Sequence, residues 1–430
     1  MTDKGTLPRL LAGLERGRAV SLAEHEGRVG PLPRPSTANE RSDLLSELVH
    51  SGLRGRGGAG FPVAVKMRAV ATRPGPRIVV ANGSEGEPAS RKDALLMARA
   101  PHLVLDGLVL AANLIGADKA VLCVKGSADK AVAGVLGAMQ ERVDAELPEA
   151  TIAVREVASD YVAGEESALV HQLNGGPAKP TFVPPRPFEA GVGDRPTLLQ
   201  NVETLAHLAL IARFGAAWFR EVGTPEDPGS VLITLSGSVA RPGIYEIGAG
   251  TRLGELIKAA GGPTDPAQAF LVGGYAGTWF RPETALDLPL DHRSMRAAGG
   301  TLGPGIVIAL PTGACGVAET ASVASYLARA SSGQCGPCVH GLGAIADALQ
   351  DIAAGQAAPG TYEWVARWCR DVTGRGACHH PDGAARLVSS CLDVFAQEVA
   401  RHEQRGPCRP PEALNHLLPL GSNAPAAVTA

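Results

Sequence analysis

Aromatic side chains are scarce in this 430-residue sequence, at 4%, and charged residues reach only 19%. The charges also nearly cancel: 40 Lys and Arg against 43 Asp and Glu leave a net charge of −3. A chain whose main partner is nucleic acid or an anionic membrane carries a basic excess, which is missing here. Long apolar runs are missing too. The longest candidate, 102–117, is interrupted by Asp106 and Asn113, short of the roughly 18 residues of a membrane span. The first 17 residues hold no apolar stretch of signal-peptide length, so a cytoplasmic location is the expectation. Apolar content is ample at 45%, enough for several cores, and this excludes disorder of the whole chain. The length suggests about three domains.

Glycine (53) and proline (33) together make up a fifth of the chain. The glycines follow no three-residue period, so a collagen-like helix is excluded. They belong to loops, where backbone rather than side chains does the binding. Six of the eight cysteines fall after residue 334. Such clustering in a chain of this size points to metal or redox work rather than a disulfide framework.

Strand-like runs at 77–82, 119–125 and 150–157 alternate with helical patterns at 95–116 and 128–147. That alternation predicts a parallel, three-layer α/β sheet. Residues 180–196 read as an irregular loop, 201–221 as a helix and 223–229 as a linker. A hairpin turning around Ala240–Gly243, a short helix at 251–262 and strands at 269–274 and 305–310 suggest a small α+β domain. Residues 316–402 read as helices, and 403–430 as a disordered tail.

Three loops carry chemistry. The segment 53–62, LRGRGGAGFP, contains Gly55-x-Gly57-x-x-Gly60. It lacks the preceding strand of a dinucleotide-binding turn, because a helix-like stretch comes before it and Pro62 follows. It is either a phosphate-binding loop, with Arg56 and Lys66 adding positive charge, or a flexible turn. NGSEGEP (82–88) and YVAGEES (161–167) each follow a strand, where open α/β sheets bind ligands. Glu85, Glu87, Glu165 and Glu166 are therefore either aimed at a ligand or merely solvated. Cys335-x2-Cys338 and Cys378 allow buried thiols, a zinc site completed by His340, His379 or His380, or an iron–sulfur cluster. Cys123 reads as core. Cys315, Cys391 and Cys408 have no assignable role, and His102 reads as a packed side chain.

LRGRGGAGFP, NGSEGEP with its following KD, YVAGEESAL, PTLLQNVETLAHL and SGQCGPC occur in this order. Together they closely resemble the NADH-binding flavoprotein (51 kDa-type, or F-type) component of respiratory complex I, a module also found in NAD-linked hydrogenases and formate dehydrogenases. The resemblance runs from about residue 41 to 402. It implies a Rossmann-like FMN-binding α/β domain at 41–222 after an N-terminal extension, 1–40. A soluble-ligand-binding β-grasp domain at 229–311 and a helical bundle with an iron–sulfur site at 316–402 would follow.

Carried over residue by residue, the resemblance places FMN against Gly55, Arg56, Gly57, Lys66, Asn82, Glu85, Gly164, Glu165, Glu166 and Asn201, with Gly58 in the same loop. NADH would lie near Phe61, Glu87 and Glu166. The resemblance implies no catalytic His or Cys, since hydride passes directly between two aligned rings. The chain departs from the family at Ser84, where Asp is usual, and at Ala69, where an aromatic is usual. It also has Val183 and Arg186 in place of a basic and an aromatic residue. Each lost aromatic face removes stacking of roughly 1 kcal/mol. The family's four-cysteine cluster pattern matches at Cys335, Cys338 and Cys378, but its first position is Ser332. A [4Fe-4S] cluster with Ser332 or an exogenous fourth ligand, a three-iron cluster, Cys369 as substitute, and loss of the cluster all remain open.

The implied function is NADH oxidation by hydride transfer to FMN, then one-electron transfer to the cluster and a small iron–sulfur partner. That partner would be a thioredoxin-fold two-iron subunit or a ferredoxin. The protein would be cytoplasmic or peripheral in a membrane-attached complex. The rivals are an FMN- or ferredoxin-linked reductase that does not use NADH, and a non-catalytic scaffold subunit.

Overall fold

The computed structural model describes residues 6–14, 17–147 and 152–408. Four strands, β1 Arg77–Gly83, β2 Ala117–Lys125, β3 Ile152–Val157 and β4 Thr197–Asn201, form a parallel sheet of order β3-β2-β1-β4. Parallel neighbours need crossovers, and helices supply them on both faces. Side chains alternate accordingly. Val79 and Ala81 enter the main core with Leu105, Leu108 and Leu205, while Ile78, Val80 and Cys123 enter a smaller cluster with Leu169 and Val170. The expected three-layer α/β arrangement is present, and Cys123 is core.

Two details differ from the sequence reading. The helix expected over 95–116 is two helices, Lys92–Arg99 and Pro101–Ile115, bent by 97°. Pro101 opens the second helix and disfavours helical geometry at Ala100, whose φ is −123°. Strand β4 falls where no strand is expected, because its five residues, TLLQN, show no alternation.

A second sheet contains β5 Ser230–Gly237, β6 Gly243–Gly248, β7 Ala267–Val272, β8 Thr278–Phe280 and β9 Ile306–Pro311 in the order β6-β5-β9-β7-β8. The expected hairpin pairs β5 with β6. One face, with Val231, Ile233, Phe270 and Val307, packs on the short helix Leu253–Ala259. The other, with Leu271, Ile306, Ile308 and Leu310, shares a core with the C-terminal helices through Leu327, Leu349, Leu387 and Phe395. Those helices are Gly316–Arg329, Leu342–Ala354, Thr361–Val372, His380–Val394 and Ala396–Arg405.

The chain ends do not behave as appendages where they are described. Leu10, Leu11 and Leu14 are buried in the main core, and the amides of Arg9, Leu10 and Leu11 all donate to Glu246 Oε2 at 2.7–3.0 Å. At the other end, residues 403–405 complete the last helix. The rest of the expected tail, beyond Cys408, lies outside the described residues. Among the described residues no single helix is long and apolar enough to cross a membrane.

Candidate functional site

The chain runs outward through β1, β2 and β3, then returns to place β4 on the other side of β1. This reversal opens a crevice at the carboxyl ends of β1 and β4, where open α/β sheets bind ligands. Asn82, one residue before the end of β1, and Asn201, the last residue of β4, pair in register. Asn201 caps the helix Val202–Arg220, accepting from the Glu203 amide at 3.0 Å, and its Nδ2 donates to Asp93 at 2.6 Å. Asn82 donates to the Gly164 carbonyl at 3.0 Å and accepts from the Ser84 amide at 3.1 Å. It thereby ties the 82–88 loop to the 161–167 loop. The Ser84 hydroxyl adds a bond to Asn82 Oδ1. The approach is tight: a Cβ on Gly86 would stand 2.4 Å from the Tyr161 carbonyl oxygen.

The glycine loop hangs over this crevice between two helices, Ala38–Ser51 and Val63–Ala71, not after a strand. Gly55 donates to the Phe61 carbonyl at 2.9 Å, closing the loop's base. Among the described residues, the amides of Gly57, Gly58, Ala59 and Gly60 make no hydrogen bond. Gly57 sits so close to Asn201 that a Cβ there would lie 3.2 Å from the Asn201 Cβ. Consecutive unpaired amides beside a switch-point crevice make an anion cradle. This donor set fits a flavin mononucleotide phosphate.

The four loop glutamates divide by role. Glu85 turns inward: its carboxylate accepts from the Asp93 and Ala94 amides at 3.1 and 3.0 Å and from Ser90 at 2.6 Å. Glu165 caps its own helix, accepting from the Ser167 and Ala168 amides at 2.9 and 3.0 Å. Both satisfy helix N-terminal donors that would otherwise be orphaned. Glu87 and Glu166 hold no cap. Glu166 pairs with Lys66 at 2.7 Å. Glu87 is buried; its Oε2 accepts from the Tyr161 hydroxyl at 3.2 Å and the Tyr275 amide at 3.0 Å, while Oε1 has no partner. Burial pushes this carboxyl up to about 7.

Arg56 does not offer its charge to the loop. Its guanidinium is buried against Asp227 at 3.2 Å and the Pro228 carbonyl at 3.0 Å. Arg54 instead donates to the Gly60 carbonyl at 3.1 Å, and Lys66 lies on the helix that follows the loop. Lys92 is also buried, between Asp93 at 2.8 Å and Glu203 at 2.7 Å. Burial alone would lower its pKa, but the two carboxylates outweigh it and hold the ammonium charged. Phe61 is exposed at the loop's end. A second exposed aromatic, Phe182, lies outside every motif, next to the divergent Val183. The Thr181 amide donates to Ser167 at 3.0 Å, which sets Phe182 beside the helix start that carries Glu165 and Glu166.

In the bundle, the Cys335 and Cys338 thiols are hydrogen-bonded to each other, and Cys378 lies within electrostatic reach of both. Cys338 is pushed up to about 12 by burial and by Cys335. Burial also opposes ionisation of Cys335, but hydrogen bonds from the Ala377 and Cys338 amides outweigh it and bring it below the usual thiol range. Three neighbouring thiols, one held by amide donors, fit an iron–sulfur cluster. Ser332 is buried nearby in sequence, yet the hydroxyl bonded to Cys338 is that of its neighbour Ser331. Cys369 bonds instead with Ser389 in the bundle core. The zinc reading loses its histidines. His380 donates to the Leu327 carbonyl at 2.8 Å, His379 is fully exposed beside Asp382, and His340 is exposed. The two sites adjoin, because the 161–167 loop meets the bundle. The Tyr161 ring packs 5.4 Å from His380, and the charge of Glu165 reaches the Cys378 thiol.

Fold and site together define an α/β nucleotide-cofactor protein joined to a thiolate-bearing helical bundle. Three family models match the chain: the Nuo51 FMN-binding domain over 48–210, the SLBB domain over 232–275, and the NADH-ubiquinone oxidoreductase-F iron-sulfur binding region over 318–402. The second NADH-quinone oxidoreductase F-type subunit of Rhizobium meliloti is 35% identical over 414 residues, covering 91% of this chain and 96% of that protein. The F-type subunit of the Escherichia coli NADH-quinone oxidoreductase is 32% identical over 371 residues, covering 83% of each. A solved NAD+-reducing [NiFe]-hydrogenase, in its H2-reduced state, superposes with a TM-score of 0.83 at 32% identity, covering 93% of this chain and 68% of that one. The chain belongs to the family of NADH-quinone oxidoreductase F-type subunits.

Proposed function

We propose that this chain passes electrons from NADH through FMN to an iron–sulfur cluster and on to a partner protein. It is an NADH dehydrogenase-type oxidoreductase. FMN, when bound, supplies the step that accepts a hydride and releases electrons one at a time. The chain's own residues hold and orient. The Gly57, Gly58 and Gly60 amides and Lys66 take the phosphate, with Gly55 closing the loop beneath them. Asn82, Asn201 and Gly164 define the crevice, while Glu85 and Glu165 act as positioning residues by fixing its two loops. Arg56 anchors the glycine loop to Asp227. Glu87, Glu166, Phe61 and Phe182 face the nicotinamide nucleotide. Cys335, Cys338 and Cys378 hold the cluster, with Ser332 or an exogenous group as fourth ligand.

The observation that carries this reading is the 161–167 loop. One wall of the flavin crevice is also in contact with the cysteine-bearing bundle, which gives a short route for single electrons. A small iron–sulfur protein, either a thioredoxin-fold two-iron subunit or a ferredoxin, is the proposed acceptor, and the chain works in the cytoplasm or peripherally in a membrane-attached complex. The relatives' names favour NADH over the reductase and scaffold alternatives. Anaerobic mixing of the FMN-loaded protein with NADH, and separately with NADPH, tests it. Flavin bleaching by NADH is expected; no bleaching with either nucleotide overturns the dehydrogenase reading.

A further inference from the structure

Outside the flavin and cluster sites, the tightest group of metal-ligand atoms among the described residues is Cys315, His402 and Cys408. Their ligand atoms all lie within 4.8 Å of one another. The matched iron–sulfur region spans 318–402, so both cysteines fall outside it. Cys315 follows β9 and caps the helix Gly316–Arg329, its Sγ accepting from the Ala318 amide at 3.4 Å. His402 is buried on the last helix, and Cys408 follows that helix.

The histidine is already in a ligating form. Its Nδ1 is 3.2 Å from the Ile352 carbonyl, which can only accept, so Nδ1 carries the proton. The Nε2 lone pair is therefore free to bond, and it accepts from the Cys408 amide at 3.1 Å and faces Cys315 Sγ at 3.7 Å. A backbone carbonyl orienting the second ring nitrogen is the usual arrangement behind a metal-bound histidine. Zinc bonds of about 2.3 Å to sulfur and about 2.0 Å to nitrogen put tetrahedral S and N ligands roughly 3.6 Å apart, close to what is seen. The Glu398 carboxylate stands beside Cys315. It accepts from the Gly316 amide at 2.9 Å and shares a hydrogen bond with the Cys315 thiol.

We propose that Cys315, His402 and Cys408 form a structural zinc site that joins the first and last turns of the helical bundle. Two thiolates and an imidazole exclude hard cations such as Mg2+ and Ca2+. On binding, each thiol gives its proton to solvent, and the metal displaces the Cys408 amide and Cys315 thiol from Nε2. No oxidation is involved. The ion closes a loop across 87 residues, from Cys315 to His402, that encloses all three cluster cysteines. Restricting a loop of that size in the unfolded chain stabilises the bundle around the cluster.

The test is metal analysis of the full-length holoprotein prepared in zinc-containing medium. One zinc per chain is expected in addition to iron, with two sulfur neighbours by zinc-edge X-ray absorption. Cys315→Ser combined with Cys408→Ser should lose the zinc and keep flavin and iron, while Cys335→Ser combined with Cys378→Ser should lose iron and keep zinc. Should the first pair fail to fold, the wild-type protein is stripped with chelator and titrated with Co2+. Tetrahedral thiolate–cobalt bands in the difference spectrum are expected. The proposal is overturned by a wild-type protein that holds no zinc and gives no such bands. It is equally overturned if zinc survives the first pair, or if anaerobically prepared protein contains a Cys315–Cys408 disulfide.

Discussion

Replacing Glu87 with Gln should change how the stability of the FMN-free protein depends on pH. The carboxyl is buried, one of its oxygens accepts from Tyr161 and Tyr275, and the other has no partner. Burial lifts its pKa from the ordinary 4.5 to about 7. A raised carboxyl pKa means that the folded chain binds a proton between those values that the unfolded chain does not. The group's contribution to stability is therefore fully present below the ordinary pKa and is lost as pH rises through about 7. A rise of this size corresponds to roughly 3 kcal/mol between the two limits. Gln keeps the shape and accepts the same two hydrogen bonds but cannot ionise. Urea unfolding of both proteins at a series of pH values gives the difference directly. The Gln variant should gain roughly 3 kcal/mol relative to wild type between about pH 4 and about pH 8.5. A difference that stays flat across that range would refute the claim that Glu87 is forced to titrate in a dry interface between the two sheets.

Lys92→Met should cost about 3–5 kcal/mol, because it leaves Asp93 and Glu203 buried without their cation; an unchanged urea midpoint would count against the ion triad. Gly86→Ala forces a Cβ onto the Tyr161 carbonyl, so the two loops must part. Titrating FMN into the apo-protein by flavin fluorescence should show affinity weakened at least about tenfold, since about 1.4 kcal/mol suffices for that. Wild-type affinity in this variant would mean the crevice is not the flavin site. Arg252→Ala is the control: its partner Asp287 and the arginine itself are exposed, and stability should move by less than about 0.5 kcal/mol.

Several features are legible in the sequence because they rest on local patterns. Short apolar runs with β-branched residues mark β1 and β2, and the parallel sheet follows from the helices between them. Five co-linear motifs carry the family. The motif positions do not reveal which way their side chains turn. Glu85 and Glu165 look like their neighbours Glu87 and Glu166 in the sequence, yet they cap helices because the first-turn amides of those helices lie two to nine residues on. In the sequence the Arg56 charge looks available to a phosphate; in the fold Asp227, 171 residues away, takes it. The break at Ala100 is visible as Pro101, but the unbroken apolar pattern around it masks the signal.

By itself the sequence determined most of the order of elements, though not β4 or the break at Ala100, together with the glycine loop and the thiol-rich C-terminal third, since spacing and turn chemistry act over a few residues. The tertiary structure alone decided the switch point between β1 and β4, the pairing of Asn82 with Asn201, and the meeting of Cys315 with His402 and Cys408. These contacts join residues scores apart in the chain. They arise when apolar faces pack and the polar groups trapped between them must find partners, and no local pattern records where that will happen.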